Sequence, residues 1–384
     1  MKIGIISVND KPTNILSRGG TEVFSANLAR QLSLLGHEVY LFGSKDSYVK
    51  GVKTIATTDE SLQEILEKEN KIPLEDIKTI FHVRNLLIAS KYQKEIDVFH
   101  DNMSSVLTLS LLDLFYKPVI STLHMPIETI YRSERIKKYL FSSHVKYVVA
   151  SAYQKKWLST ESTLIYNGID IELFQKHDIF SCDENMIWIG RVDPNAPKGL
   201  DDALIVASRT GKKLIYVSLI EDEKYYKEKI EPLLCENAVN HPHFQTIDEK
   251  INYYCSGKIL LNPIKWEEPF GLTFIEAMAT GTPVVAYAKG AAPELIKDGE
   301  TGFLINSSPA DVRGNWIIKK FGIEGLCEAV ERIYSMQPEE YREMRAACAK
   351  HISEKYSLMK MAQTYEALYL QIVEKYQRMN REKI

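Results

Sequence analysis

Residues 262–304 read NPIKWEEPFGLTFIEAMATGTPVVAYAKGAAPELIKDGETGFL and contain the densest group of structural signals in the chain. A Pro-Phe-Gly turn at 269–271 precedes a run typical of a short helix, 272–279. A Gly-Thr-Pro step at 281–283 ends that run, and the apolar residues 284–287 predict a buried strand. The order helix, turn and apolar strand indicates an α/β fold.

Two glutamates flank the turn, Glu268 and Glu276, with seven residues between them. A helix that begins at Gly271–Thr273 offers free backbone N–H groups and a positive dipole end, which suit a phosphate. Carboxylates only accept hydrogen bonds, so a phosphate between two of them indicates a sugar nucleotide, with hydroxyls on both sides. From the spacing alone, an ordinary βαβ unit whose glutamates cap and solvate a helix is the better interpretation.

The whole stretch changes that balance, because it resembles the E-x7-E signature of the retaining glycosyltransferases of family 4, also called glycosyl transferases group 1. The similarity extends without gaps through EPFGLTFIEAMATGTPVVA and PELIKDGETGFL. It implies a GT-B architecture: two Rossmann-like α/β domains facing across a cleft, with a C-terminal helix that crosses back to the first. We therefore predict an acceptor-side domain at 1–173, a nucleotide-sugar domain at 174–355 and a returning helix at 356–384.

The composition of the chain limits its structural class, its partners and its cellular compartment. The 384 residues are 45% hydrophobic and 26% charged, as in a soluble globular protein, and the formal net charge of −3 argues against bulk binding of nucleic acid. No apolar run of about 18 residues predicts a membrane span, and the N-terminus lacks the apolar region of a secretory signal. The five scattered cysteines include no C-x-x-C pair, so we expect a cytoplasmic protein without a disulfide framework or zinc site.

The first half opens with a predicted strand at 2–8, then Gly19 and Gly20 at the start of a long amphipathic helix. The glycine pair would let a backbone approach a diphosphate closely, although a flexible loop before a helix explains it equally well. Two later strands end in His100 and His124. The second of these matches the family's T-x-H position, and the resemblance implies that His124 approaches the sugar from the opposite domain.

In the second half, the strand 185–192 is followed by a loop that carries Arg191 and Lys198 into the next helix. This pair resembles the family's diphosphate clamp; the alternative is two exposed loop cations. HFQTID, 243–248, is predicted as a strand. Within it Gln245, Thr246 and Ile247 stand where many relatives carry a glycine beside the nucleobase, which leaves recognition of the base open.

The sequence therefore predicts a retaining hexosyltransferase that uses a nucleotide-diphosphate sugar, UDP-glucose or a similar UDP-hexose, without a metal or other cofactor. The resemblance implies that Glu268 contacts sugar hydroxyls and Glu276 the ribose. The predicted catalytic residues are His124, Arg191, Lys198 and Glu268, and the predicted donor-binding residues are Gly19, Gly20, Ile247, Phe270, Gly271, Leu272, Thr273 and Glu276.

Two other function classes stay open. One is a non-catalytic sugar-nucleotide binder or a subunit that activates a partner. The other, a NAD-linked oxidoreductase, is disfavoured because the opening βαβ unit lacks G-x-G-x-x-G and an acidic residue after its second strand. The acceptor (saccharide, lipid, protein or small metabolite) and the oligomeric state are not predicted. The basic amphipathic stretch 131–141 is compatible with weak peripheral membrane association, but a solvated helix face is the favoured interpretation.

Overall fold

The computed structural model describes residues 1–17, 19–68, 74–103, 105–125, 140–158, 162–195 and 197–382. The chain forms two compact units. Unit 1 contains Met1–Gly168 and Leu358–Ile384, and unit 2 contains Ile169–Ser357. Most of the basic amphipathic stretch 131–141, for which a solvated helix face is the favoured interpretation, lies outside the described residues, at 131–139. No helix in the described ranges is both long and apolar enough to cross a bilayer.

Unit 1 is built on a parallel sheet of seven strands in the order β3-β2-β1-β4-β5-β6-β7. Its central strands are short and almost wholly buried, which is typical of a parallel sheet covered on both faces. The strands are β1 Lys2–Ile6, β2 Glu38–Ser44, β3 Lys53–Thr58, β4 Val98–Asp101, β5 Val119–Leu123, β6 Val145–Val149 and β7 Ser162–Leu164.

Helices connect these strands and cover the sheet. Because all neighbouring strands are parallel, each connection must cross over a face of the sheet. The helices described are α1 Gly20–Leu34, α2 Leu62–Lys68, α3 Leu74–Ser90, α4 Val106–Leu111 and α5 Ala152–Lys155, with a 3₁₀ turn at Leu112–Leu114.

Unit 2 repeats the plan with a parallel sheet of six strands in the order β10-β9-β8-β11-β12-β13. The strand order reverses at β8, and in open α/β sheets ligands bind at the carboxyl ends of the strands beside such a reversal. The strands are β8 Asn185–Val192, β9 Leu214–Ile220, β10 Ala238–Asn240, β11 Gly257–Leu261, β12 Val284–Tyr287 and β13 Gly302–Ile305.

The helices of unit 2 are α6 Ile171–Phe174, α7 Leu200–Thr210, α8 Glu223–Tyr225, α9 Ile247–Ser256, α10 Leu272–Ala279, α11 Ala292–Leu295, α12 Gly322–Tyr334 and α13 Pro338–Lys355. A π-helical turn at Tyr226–Ile230 and a 3₁₀ turn at Glu231–Leu233 follow α8. The predicted helix at 272–279 and the predicted strand at 284–287 are both observed. The prediction of two Rossmann-like α/β units is confirmed.

The strand predicted at 243–248 is wrong. The preceding strand, β10, ends at Asn240, and α9 begins inside the predicted segment. The cause is a capping pair: the Thr246 hydroxyl accepts the Glu249 N–H at 3.1 Å, while the Glu249 carboxylate accepts the Gln245 N–H at 2.7 Å. These bonds satisfy N–H groups at the start of a helix, so a Thr-x-x-Glu sequence favours a helix start over a strand.

The last helix, α14 Leu358–Arg381, belongs to unit 1 and packs against α1. Its apolar side chains recur every three or four residues and enter the unit 1 core, where Leu358, Met361, Tyr365 and Tyr369 are buried. Tyr369 also bonds the ring of His100 at 2.7 Å. The helix therefore completes both the core and the polar interior of unit 1.

Candidate functional site

The turn before α10 in unit 2 can be made only with glycine at its end. Gly271 precedes the helix with φ +103°, and a Cβ atom on it would lie 2.6 Å from the Phe274 ring. The α10 amides therefore begin directly after a residue without a side chain. The hydroxyl of Thr273 accepts the amide of Asn262 at 3.3 Å, and Phe270 is buried beneath the turn. The N–H groups of Leu272 and Thr273 lie in the first turn, where a helix has no carbonyl partner for them.

Glu268 lies at the start of this turn and forms an ion pair with Lys198 through its Oε2 atom. The same oxygen accepts the indole N–H of Trp266 at 2.9 Å. The Trp266 ring also lies 4.8 Å from the Lys198 ammonium, within the range of a cation–π contact. The structure thus joins two predicted catalytic residues to a tryptophan that the sequence analysis did not select.

Glu276 is buried in the second turn of α10, and both of its oxygens have partners on α9. Oε1 pairs with the Lys250 ammonium at 2.6 Å, and Oε2 accepts the Tyr254 hydroxyl at 2.8 Å. Burial, with the nearby Glu276 charge, raises the pKa of Tyr254 well above its usual value, so this hydroxyl stays a donor. Ile247 begins α9 three residues before Lys250, on the same side of the helix. The carboxylate is therefore fixed and charge-compensated.

Arg191 lies near the carboxyl end of β8 and pairs with Glu221 at 3.1 Å, with 39% of its side chain exposed. The loop that follows returns to the strand, because a Cβ atom on Gly190 would lie only 3.1 Å from the Cβ of Lys198. Arg191 and Lys198 thus flank the same strand end but hold different carboxylates. Both belong to unit 2, as do Glu268, the α10 turn and Glu276.

A second set of contacts fixes the main chain at Glu268. Gly290 has φ +53°, and a Cβ atom on it would lie 2.2 Å from the Glu268 carbonyl oxygen. Its N–H donates to Glu267 Oε2 at 2.7 Å, and the N–H of Ala291 donates to the Glu268 carbonyl at 2.9 Å. Arg313 pairs with the other oxygen of Glu267 at 2.5 Å. Sequence analysis missed Glu267 and Arg313, since their 46-residue separation gives no spacing signal.

In unit 1, Gly19 precedes α1 and Gly20 is its first residue. The carboxylate of Glu22 folds back over this glycine pair: a Cβ atom on Gly19 would lie 1.9 Å from Glu22 Oε2. Only glycine therefore leaves room for this carboxylate. Burial raises the pKa of Glu22 to about 7, so the side chain is close to half protonated at neutral pH. Sequence analysis did not single out Glu22, although its position in the first helical turn is typical of a capping acid.

His124 follows β5 in unit 1. Its Nε2–H donates to the Asn102 side-chain oxygen at 3.1 Å, and its ring packs edge-on against Phe24 with the centroids 4.5 Å apart. Burial lowers the pKa of His124 to about 3, so the imidazole is neutral. His100 is fully buried and bonded at both ring nitrogens, to Tyr369 and to Thr122, each at 2.7 Å. That saturation assigns His100 to the interior of unit 1.

We call the region of unit 2 that contains Arg191, Lys198, Glu268, the first turn of α10 and Glu276 the unit 2 corner. It is chemically suited to an anion with hydroxyl groups beside it. Lysine, arginine and first-turn amides supply positive and partially positive groups, and two carboxylates supply acceptors. Across the part of the chain that the structure describes, no three His, Cys, Asp or Glu side chains converge in a way that could hold a metal ion.

Two family models match the chain. The one described as Glycosyltransferase Family 4 matches residues 18–173, and the one described as Glycosyl transferases group 1 matches residues 170–319. The two matches overlap at residues 170–173, directly after the boundary between the two units at 168–169. Together they cover residues 18–319, which include the candidate site residues of both units.

Two individual relatives share between a quarter and a third of their residues with this chain over the matched segments. MMP α-(1→4)-mannosyltransferase of Mycolicibacterium hassiacum is 25% identical over 366 residues, which cover 81% of this chain and 87% of that protein. An uncharacterized 41.2 kDa protein in the cps region of Klebsiella pneumoniae is 29% identical over 218 residues. In that match the chain spans about half of the Klebsiella protein, 54%.

Solved structures show the same fold. Sucrose-phosphate synthase from Thermosynechococcus elongatus superposes with a TM-score of 0.77 at 22% identity, covering 98% of this chain and 100% of that one. Anabaena HepE, solved in complex with UDP and glucose, has a TM-score of 0.68 at 17% identity, with 96% and 98% covered. The chain therefore belongs to the family 4 glycosyltransferases, the glycosyl transferases group 1, and has their GT-B fold.

Proposed function

We propose that this glycosyltransferase moves a hexose from a nucleoside-diphosphate sugar to an acceptor hydroxyl, with retention of configuration and without a metal or other cofactor. The observation that carries the proposal is the Lys198–Glu268 pair beside the first turn of α10. It places a cation, free amides and a hydroxyl acceptor at one corner of one unit. The solved structures of Anabaena HepE in complex with UDP and glucose, or with UDP-glucose, support a UDP-hexose as donor.

The main requirement of the reaction is to stabilise the negative charge that develops on the leaving group. As the bond between the anomeric carbon and the phosphate oxygen breaks, negative charge grows on the diphosphate and the sugar becomes oxocarbenium-like. Lys198, Arg191 and the amides of α10 are the groups available in unit 2 to stabilise that charge. A preorganised donor of this kind lowers a barrier by about 3 kcal/mol, or on the order of a hundredfold in rate.

For the stereochemistry we propose attack on the same face of the sugar from which the diphosphate leaves. The acceptor oxygen forms the new bond to the anomeric carbon, and its proton passes to an oxygen of the departing phosphate. We assign Glu268 to hydrogen bonding rather than to nucleophilic attack, because Lys198 and Trp266 both donate to its Oε2 atom and so withdraw negative charge from the carboxylate. His124 is neutral and serves as a hydrogen-bonding group rather than as a cation.

The remaining predicted residues complete the donor site in this proposal. Glu276 contacts the ribose hydroxyls, and Ile247 begins the helix beside the nucleobase. Considered by itself, unit 1 offers the main-chain amides of Gly19 and Gly20 and the neutral imidazole of His124, which we propose as ligand-binding groups.

The proposal is tested in two stages. Calorimetric titration with UDP, GDP and ADP should show micromolar-range binding of one of them, and UDP-hexoses should then be hydrolysed slowly, as followed by release of UDP. Product NMR should show the anomeric configuration of the donor kept. Binding without any turnover would indicate a non-catalytic sugar-nucleotide binder, inversion would reject the same-face mechanism, and absence of nucleotide binding would reject the proposed function.

A further inference from the structure

We propose that Trp266 is a positioning residue for the transfer reaction. Its indole N–H and the Lys198 ammonium hold one oxygen of Glu268, so that the other oxygen is left to accept a hydroxyl of the transferred sugar. The inference rests on the proposed function and adds a residue that neither the motif spacing nor the family match selects.

The first support is the distribution of contacts on the carboxylate. Trp266 Nε1 lies 2.9 Å from Glu268 Oε2, and Lys198 pairs with the same atom. In the described part of the chain, no hydrogen bond reaches Glu268 Oε1. The side chain is 12% exposed, so Oε1 belongs to a partly enclosed group rather than to a freely solvated one. An ionised carboxylate has about four acceptor positions, and those on Oε1 are available.

Contrast with Glu276 strengthens this assignment. Glu276 uses both oxygens on its own unit, one for Lys250 and one for Tyr254. Glu268 has as many donors but receives both on a single oxygen. Two donors on one atom restrict rotation of the carboxylate plane while leaving the second atom open.

Trp266 fixes this orientation better than Lys198 does. The terminal torsion of a glutamate is broad, and a lysine ammonium moves on a flexible four-carbon stem. The indole is rigid and needs only two torsions to be set, so its N–H points in a defined direction. The ring also lies 4.8 Å from the Lys198 ammonium and so restrains both members of the ion pair.

This restraint matters most when a donor is bound. In the proposed function, the Lys198 ammonium also interacts with the diphosphate, which weakens its ion pair with Glu268. The Trp266 bond then becomes the main contact on Oε2. The neighbouring main chain does not depend on the indole, because the Ala291 N–H donates to the Glu268 carbonyl and the Gly290 N–H donates to the Glu267 carboxylate.

The test is a double-mutant cycle on the rate of UDP release from UDP-glucose, or from the hexose donor found active. Trp266→Phe keeps an aromatic ring near Lys198 but removes the N–H donor. We expect it to lower kcat/KM by about tenfold in the native background, as loss of a hydrogen bond to a charged group predicts. In a Glu268→Gln background, the same change should alter kcat/KM by less than about twofold, because a residue acting through Glu268 has nothing left to orient.

Three controls separate positioning from folding. Trp316→Phe removes the same kind of donor from Asn306, which retains the Arg313 N–H, and should leave the rate unchanged. Trp266→His restores a ring N–H and should recover part of the loss at a pH where the imidazole is neutral. The dissociation constant for UDP, which lacks the sugar, should stay within about twofold in Trp266→Phe.

Equal losses in both backgrounds, or no loss in the native background, would overturn the role of Trp266 while leaving the proposed function intact. The same holds if Trp266→His is no more active than Trp266→Phe while both variants melt at the wild-type temperature. If the wild-type protein binds no nucleotide and hydrolyses no nucleotide sugar, the proposed function fails and this inference fails with it.

Discussion

The polar groups near the strand ends differ between the two units: those of unit 2 are ion-paired, and those of unit 1 are buried. In unit 2, Arg191, Lys198 and Glu268 lie at a partly exposed corner and are paired with groups of opposite charge. In unit 1, burial shifts two groups toward their neutral forms: it raises the pKa of Asp101 to about 6 and lowers that of His124 to about 3. The first arrangement suits an anionic ligand and the second suits a neutral, hydroxyl-bearing one.

The difference has a simple physical cause. Burial disfavours the charged form of any side chain, and only a close opposite charge or several hydrogen bonds restore it. Asp101 receives one hydroxyl, from Ser121 at 2.7 Å, and one N–H, from Met103 at 3.1 Å, which do not offset its burial. The unit 2 carboxylate at 268 receives an ammonium. The difference between the two carboxylates thus lies in their partners: hydrogen bonds for Asp101 and an ion pair for Glu268.

The largest effect is expected for Lys198→Ala. It removes one of the two cations at the unit 2 corner and leaves Glu268 with Trp266 alone, so kcat/KM for the hexose donor should fall by about a hundredfold to a thousandfold. Lys212→Ala is the matched control, because Lys212 also lies over an aromatic ring, that of Tyr334 at 4.6 Å, but outside the corner. If Lys198→Ala has steady-state rates near those of wild type, Lys198 has no role in the site, and the contrast between the two units loses its functional meaning.

The sequence predicted this contrast only in part. The helix and strand of residues 262–304 follow from local signals: glycine and proline positions and apolar runs. The charge state of unit 1 does not, since the pKa of His124 depends on burial beside Phe24, a residue 100 positions earlier. The link between Glu267 and Arg313 and the bond from Trp266 likewise depend on side-chain packing. Periodicity also misled at 243–248, where a capping pair outweighed strand propensity.

A smaller effect concerns stability in unit 1. The pKa of Glu22 is about 7 in the folded protein, against an ordinary value of 4.5. A raised carboxyl pKa means that its contribution to stability is fully present below pH 4.5 and is lost as pH rises through 7. Glu22→Gln stays neutral, so relative to wild type it should gain about 2–3 kcal/mol of unfolding free energy between pH 4.5 and pH 8.

Urea unfolding at several pH values measures this difference. Glu374→Gln, on the exposed face of α14 in the same unit and 75% exposed, should give no pH-dependent change relative to wild type. The charged groups near Glu22 are Asp10, Lys11 and Lys78, which both variants retain. A Glu22→Gln curve that runs parallel to wild type would show that Glu22 is ionised in the folded protein and that unit 1 does not suppress charge there.

A further, smaller effect is expected at Glu276, the carboxylate with both oxygens in use. Glu276→Gln should weaken UDP binding by about tenfold, because a carboxylate accepts ribose hydroxyls more strongly than an amide does. Binding of 2′,3′-dideoxy-UDP should change less. Calorimetry of both ligands provides the measurement, with Glu324→Gln, which pairs with Arg209 on α7, as the control. Unchanged UDP affinity would contradict the ribose role.

The most direct test is a crystal structure of the protein with UDP. The account predicts that the β-phosphate lies against the first turn of α10, within hydrogen-bond distance of the Leu272 or Thr273 N–H and of the Lys198 ammonium. A nucleotide bound elsewhere in unit 2, or one whose diphosphate contacts neither the α10 amides nor Lys198, would contradict it.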